Sequence, residues 1–167
     1  MITIKNDFLS EKDAEFVYKT LTEGSNWSFS GRSSDLAEPT FWYFELFDSK
    51  DLLSIFINSM TRQGFEVNNI NAFYANGQSH GQCGQFHTDS KSSSDITLLY
   101  YVNYHWKPEW GGYTIFKNQK GEVSDLIIPE FNKAVFFNSN ISHAGIEPTR
   151  LFAGLRVTIA LKFSIIR

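Results

Sequence analysis

The sequence predicts a mainly β fold, an antiparallel sandwich or barrel with helices packed on its outside. Three observations lead there. The first third of the 167 residues carries apolar side chains at helical spacing. From residue 65 the period shortens, and segments rich in β-branched and aromatic residues alternate with clusters of Gly, Ser, Asn and Pro. The helical signals precede the strand signals, with no repeat and no long linker, as expected when helices buttress one β-core. The chain is accordingly expected to be one domain over residues 1–167, with helical support over about 1–64 and a β-core over about 65–167.

Ser10 is an N-cap residue, and Asp13 three positions on makes an acidic variant of the capping box. Phe16, Val17 and Leu21, with Ala14 and Tyr18 nearby, form one apolar stripe, and Gly24 is the stop signal. A second helix opens near Ser49, runs through Leu52, Leu53, Ile55, Phe56 and Met60, and closes at Gly64. Between the helices, residues 25–40 read as an exposed loop leading to a strand around 41–47. The later strands are expected at 65–74, 85–89, 96–103, 113–116, 126–128, 134–137 and 156–165.

Composition narrows the function classes. Fifteen Lys and Arg against 18 Asp and Glu leave a net charge of −3, so no global electrostatic pull toward nucleic acid or an anionic membrane exists. The single cysteine, Cys83, excludes an intrachain disulfide and a Cys-rich zinc site. No secretory leader and no run of about 18 apolar residues is found, which makes a soluble cytoplasmic protein the expectation.

The informative segment is Phe86-His87-Thr88-Asp89. On a strand, residues two apart share a face, so His87 and Asp89 can converge on one point. An imidazole and a carboxylate are two ligands for a divalent metal. His143, 54 residues beyond Asp89 and just after the apolar run AVFFN, is the candidate third. Two His and one carboxylate make the facial triad of non-haem Fe(II) oxygenases. Taken singly, an H-x-D triplet is also compatible with no metal, and His143 with a capping or core histidine. Arg156 opens the run RVTIALKF, placing Arg156, Thr158, Ala160 and Lys162 on one face and Val157, Ile159, Leu161 and Phe163 on the other. An arginine turned into a barrel requires an anionic partner, and its planar fork suits a carboxylate. A dicarboxylate cosubstrate chelating iron at one end would meet Arg156 at the other.

Residues from about 70 to 163 resemble the catalytic core of the prolyl-4-hydroxylase-type Fe(II)/2-oxoglutarate-dependent dioxygenases, and within them the hypoxia-sensing prolyl hydroxylases most. The likeness spans His87-x-Asp89, ITLLYYVN at 96–103, Trp-x-x-x-Trp-Gly-Gly at 106–112, AVFFNSNISHAGIEP at 134–148 and Arg156-Val-Thr-Ile. The N-terminal NDFLSEKDAEFV is similar to the helix that opens many of these enzymes. The resemblance implies a double-stranded β-helix, or jelly roll. It implies iron-ligand roles for His87, Asp89 and His143, and a salt bridge from Arg156 to the distal carboxylate of 2-oxoglutarate. It implies further that Tyr101 binds that carboxylate and that Tyr74 lines the cosubstrate pocket; the plain alternative for each is a core aromatic. Arg150, in the turn PTRLFAG, is the competing anchor. Lys162 stands where the family leads one to expect an aromatic.

The implied cofactors are Fe(II), 2-oxoglutarate and O2, with ascorbate as an accessory. The implied reaction couples decarboxylation of 2-oxoglutarate to succinate and CO2 with hydroxylation of a prolyl residue in a protein or peptide. Phe73, Tyr74, Leu99, Tyr101 and Phe137 are the expected apolar lining. Residues 28–40, 75–85 and 103–112 are the expected substrate loops, where Trp106 and Trp110 either meet substrate or pack on the fold's own edge. His80, His105 and Cys83 are assigned no role. Three other readings stay open: hydroxylation of a free amino acid or other small metabolite, AlkB-like nucleic-acid demethylation, and a non-catalytic jelly-roll binding module. Oligomeric state is not legible.

Overall fold

A computed structural model describes residues 2–23, 26–34 and 40–165. Among them the chain forms β1 (Ile2–Lys5), α1 (Glu11–Glu23), β2 (Ser28–Gly31), β3 (Phe41–Glu45), α2 (Lys50–Arg62), β4 (Val67–Gln78) and β5 (Asp95–Tyr101). A short 3-10 turn (Pro108–Trp110) leads to β6 (Thr114–Lys117), β7 (Val123–Ile127), β8 (Ala134–Asn138), β9 (His143–Gly145) and β10 (Arg156–Ile165). A seven-stranded sheet has the order β1-β8-β5-β10-β4-β3-β2, and a three-stranded sheet the order β7-β6-β9. Every pairing between these strands is antiparallel. This is the jelly roll that the resemblance implies, with helices beside the larger sheet.

The alternation of β10 organises both sides of that sheet. Val157, Ile159, Leu161 and Phe163 join Phe73, Ala75, Leu98 and Tyr100 in the main core, with Val17 and Leu21 of α1 and Leu52, Phe56 and Met60 of α2. Phe56 is fully buried and meets Phe8, Phe73 and Tyr100 at ring distances of 6.1, 5.4 and 5.2 Å. Burying each such ring contributes about 1.5–3 kcal/mol. The opposite face of β10 looks toward the smaller sheet, and the site lies there. In register, Arg156 stands opposite Gln78, Thr158 opposite Asn76 and Tyr101, and Lys162 opposite Ala72 and Thr97.

The helix signals translate into caps. Ser10 Oγ accepts from the Asp13 N–H at 3.2 Å and donates to Asp13 Oδ2 at 2.6 Å. Ser10→Ala is expected to cost about 1 kcal/mol, measured by urea unfolding. Gly64 follows α2 at φ +83, a conformation side chains resist. The Gly24 signal lies outside the described residues, although α1 ends at Glu23.

Several expectations are corrected. Phe16 is 44% exposed and leaves the α1 stripe to Ala14, Val17 and Leu21. Residues 28–31, read as loop, form β2, and β4 continues to Gln78 into the segment read as a loop from residue 75. β1 and β9 are additional strands. Residues 85–89 form no strand; only His87 bridges, to His143, while the Asp89 and Ser90 N–H groups both donate to Ser139 O at 2.8 and 3.1 Å. That pair of bonds turns the chain away from a ladder.

Candidate metal centre

The isolated bridge sets His87 and His143 side by side. Each backbone N–H donates to the other's carbonyl, at 3.0 and 2.9 Å, and the ring centroids stand 4.5 Å apart. Each imidazole Nδ1 lies near a backbone carbonyl two residues upstream, His87 at 2.9 Å from Gln85 O and His143 at 3.0 Å from Ile141 O. Donation through Nδ1 leaves Nε2 as the acceptor of the neutral ring, the form a metal requires. Both Nε2 atoms face Asp89: His87 Nε2 is 3.5 Å from Oδ1 and His143 Nε2 3.6 Å from Oδ2. One donor atom from each of the three residues lies within 4.8 Å of the others, so the set can hold a single divalent ion.

Asp89 is fixed by more than the histidines. Thr97 donates to its Oδ2 at 2.7 Å, with Ser139 Oγ 2.9 Å from the Thr97 hydroxyl, and Lys162 Nζ lies 2.7 Å from Oδ1. Burial alone would raise the Asp89 carboxyl; His87, His143 and Lys162 overcome it and hold the group below the usual carboxylate range, so it stays ionised. Burial also lowers the His143 imidazole, against the pull of Asp89, and favours its neutral form. Lys162 is raised because Tyr74 and Asp89 outweigh its burial. An ionised Asp89 and a neutral His143 are the protonation states that metal ligation demands.

From the three residues a cavity runs between the sheets to Arg156, passing Thr97, Leu99, Phe137, Thr158 and Ala160. Arg156 is 2% exposed. It donates through Nε to Gly112 O at 2.6 Å, through Nη1 to Gln78 Oε1 at 2.9 Å and through Nη2 to Thr114 Oγ1 at 3.1 Å. Among the described residues these hydrogen-bond partners are all neutral, so the guanidinium charge awaits an anion. A Cβ on Gly145 would come within 3.6 Å of Arg156 Nη1, and one on Gly112 within 2.6 Å of Trp106; Gly112 also sits at φ +69. Asn76 Oδ1, in the same cavity, is buried with no hydrogen-bond partner. A buried cation whose described partners include no carboxylate fits an anionic occupant, and the orphaned Asn76 acceptor fits a hydrogen-bond donor in the same cavity.

The remaining predicted residues divide. Tyr101 is buried; its hydroxyl donates to Thr114 Oγ1 at 2.7 Å, and its ring lies 5.7 Å from the guanidinium carbon. Tyr74 lines the cavity and burial pushes its hydroxyl up, with Lys162 only partly offsetting this. Leu99 and Phe137 line it too. Phe73 does not: it belongs to the core on the helical face. Arg150 is exposed. Trp106 donates to Gly111 O at 3.0 Å and packs against Trp110 and Phe152 at 5.7 and 4.7 Å, on the fold's own edge. His80 Nδ1 lies 3.4 Å from Glu147 Oε1, His105 is exposed, and Cys83 Sγ donates to Gly84 O at 3.4 Å. Sequence reasoning missed Gln78, Thr114, Thr97 and Ser139. The alternation Tyr74, Asn76, Gln78 along β4 was the available signal for the first; the other three are set by pairing across strands.

A second cavity, about 540 Å³, reaches His87 from outside past Ser30, Arg32, Tyr43, Tyr74 and Lys162. No helix among the described residues is long and apolar enough to cross a membrane.

The model of the 2OG-Fe(II) oxygenase superfamily matches residues 69–163. Among solved structures, the chain is similar to a prolyl hydroxylase from Trichoplax adhaerens in complex with a hypoxia-inducible-factor oxygen degradation domain peptide (TM-score 0.72, 17% identity, 98% of this chain and 83% of that one). It is also similar to a prolyl-4-hydroxylase from Pseudomonas putida (TM-score 0.67, 13% identity, 99% and 93% covered). A third is the viral collagen prolyl hydroxylase of Paramecium Bursaria Chlorella virus-1 (TM-score 0.62, 15% identity, 99% and 96% covered). At these identities the likeness is one of fold. No match is found among curated proteins. The family match takes in Asp89 and the strands that carry His143 and Arg156, all of which line one cavity, and the chain belongs to the 2OG-Fe(II) oxygenase superfamily.

Proposed function

We propose that this protein hydroxylates a prolyl residue in a protein or peptide, with 2-oxoglutarate as cosubstrate and O2 as oxidant. The observation that carries the reading is one cavity with a His–Asp–His cluster at one end and, at the other, a buried guanidinium whose hydrogen-bond partners among the described residues are all neutral. His87, Asp89 and His143 would hold Fe(II), which supplies the oxidative decarboxylation and hydroxylation chemistry when bound. Nδ1 contacts to Gln85 O and Ile141 O orient the two imidazoles, and Thr97 with Lys162 orients Asp89. Arg156 would pair with the distal carboxylate of 2-oxoglutarate; Gln78 and Thr114 aim its fork, and Tyr101 fixes Thr114. Leu99, Phe137 and Ala160 exclude water from the cavity between them. The prolyl specificity is supported by the fold shared with three prolyl hydroxylases, one of them holding a peptide.

The test is a turnover screen. Protein supplied with Fe(II), ascorbate and 2-oxoglutarate is offered proline-containing peptides, free proline and methylated DNA, and succinate and oxygen incorporation are measured. Peptide-stimulated succinate with one oxygen added to a proline is the expected result. Stimulation by free proline alone would assign a small-molecule hydroxylase, and by DNA alone a demethylase. No iron-dependent succinate under any condition would leave a binding module.

A further inference from the structure

Strand β10 carries two cations on its cavity face, and the fold treats them differently. Arg156 is surrounded by neutral partners, whereas Lys162 Nζ stands 2.7 Å from Asp89 Oδ1. The Asp89 side chain is 2% exposed and that of Lys162 23%, so the ammonium reaches the carboxylate from the open side. Its path lies over the Tyr74 ring, 5.3 Å from the centroid. The cross-strand neighbours of Lys162 are Ala72 and Thr97, both short, and the pairing with β4 shifts register just beyond it. The Asp89 carboxylate is thus shared: Thr97 on Oδ2, Lys162 on Oδ1, and an imidazole Nε2 beside each oxygen. A divalent ion held by this cluster would sit against the same carboxylate as the ammonium.

We propose that Lys162 is a resident counter-cation of the metal centre: a positioning residue that holds Asp89 from outside and competes electrostatically with the divalent ion the same carboxylate would ligate. This rests on His87, Asp89 and His143 being the ligands. An ionised carboxylate has about four lone-pair sites, so ammonium and metal are accommodated together. They repel each other across it, and by linkage each weakens the other's hold by the same factor. A buried carboxylate is costly without a charged or hydrogen-bonded partner, and Lys162 is one supplied by the chain itself. The centre therefore grips its metal less tightly than its three ligands alone would allow, and the metal is correspondingly exchangeable.

The experiment titrates Mn(II) into purified protein, followed by electron paramagnetic resonance, for wild type, Lys162→Met, Lys162→Gln and Lys162→Arg. Both neutral variants are expected to tighten Mn(II) binding by about ten-fold, while Lys162→Arg keeps the wild-type affinity. The thermal midpoint measured with chelator should fall in the neutral variants and be restored in Lys162→Arg. Unchanged or weaker Mn(II) binding in either neutral variant overturns the proposal, as does tightening in Lys162→Arg equal to that in Lys162→Met. If wild type binds no Mn(II), the ligand assignment falls and this inference with it; if wild type binds and the neutral variants do not tighten, only the inference falls.

Discussion

Replacing His87 or Asp89 with alanine is expected to reduce iron- and 2-oxoglutarate-dependent succinate formation to background while the near-ultraviolet circular dichroism stays native. Each removes one of the three donor groups that lie within 4.8 Å of one another. The two differ in their cost to the fold. The His87 side chain is 25% exposed, and its loss opens toward solvent. Asp89 is buried and partners both Lys162 and Thr97, so Asp89→Ala should also lower the unfolding free energy, though Lys162 can turn outward and limit the damage. His87→Ala is therefore the cleaner variant. Normal decarboxylation by both proteins would defeat the assignment of the cluster as the iron site.

Arg156→Ala should raise the 2-oxoglutarate requirement by well over ten-fold, and Arg150→Ala should leave it unchanged. Truncating one partner of a buried, hydrogen-bonded charge pair typically costs about 2–5 kcal/mol in binding. Arg156 meets that description from the protein side, being 2% exposed and held by Gln78, Thr114 and Gly112 O. Arg150 is exposed in a turn. The KM for 2-oxoglutarate in a succinate assay checks both variants. A large effect at residue 150 with none at 156 would relocate the anchor.

The parts of the fold legible in the sequence are those where one long pattern dominates. β10 alternates for its full length between a face packed on the helices and a face turned to the cavity, so its two charged residues stood out against an apolar run. β1, β2 and β9 are three or four residues long, too short to show a period, and β2 buries only Gly31. Phe16 sits at the edge of the α1 stripe, where spacing alone does not separate buried from exposed. His87 and Asp89 come together, but for a different reason than their two-residue spacing suggested. The reciprocal backbone bridge to His143 and the turn onto Ser139 O place them, and both contacts cross about fifty residues of chain. The neutral cradle of Arg156 is likewise assembled across strands, from Gln78 on β4, Thr114 on β6 and the Gly112 carbonyl. Pairing partners, which decide such contacts, leave no local trace.

The position of β10 has a consequence for how the protein is made. It is the fourth of seven strands in the larger sheet, yet among the described residues it follows the other six in sequence. Until residues 156–165 have left the ribosome, β1-β8-β5 and β4-β3-β2 are two half-sheets, each with an unpaired inner border. Such borders recruit other chains as readily as their own missing strand. A nascent polypeptide stalled or cut short before Arg156 therefore carries a ready template for aggregation, and successful synthesis depends on β10 threading between the halves before a neighbouring molecule does.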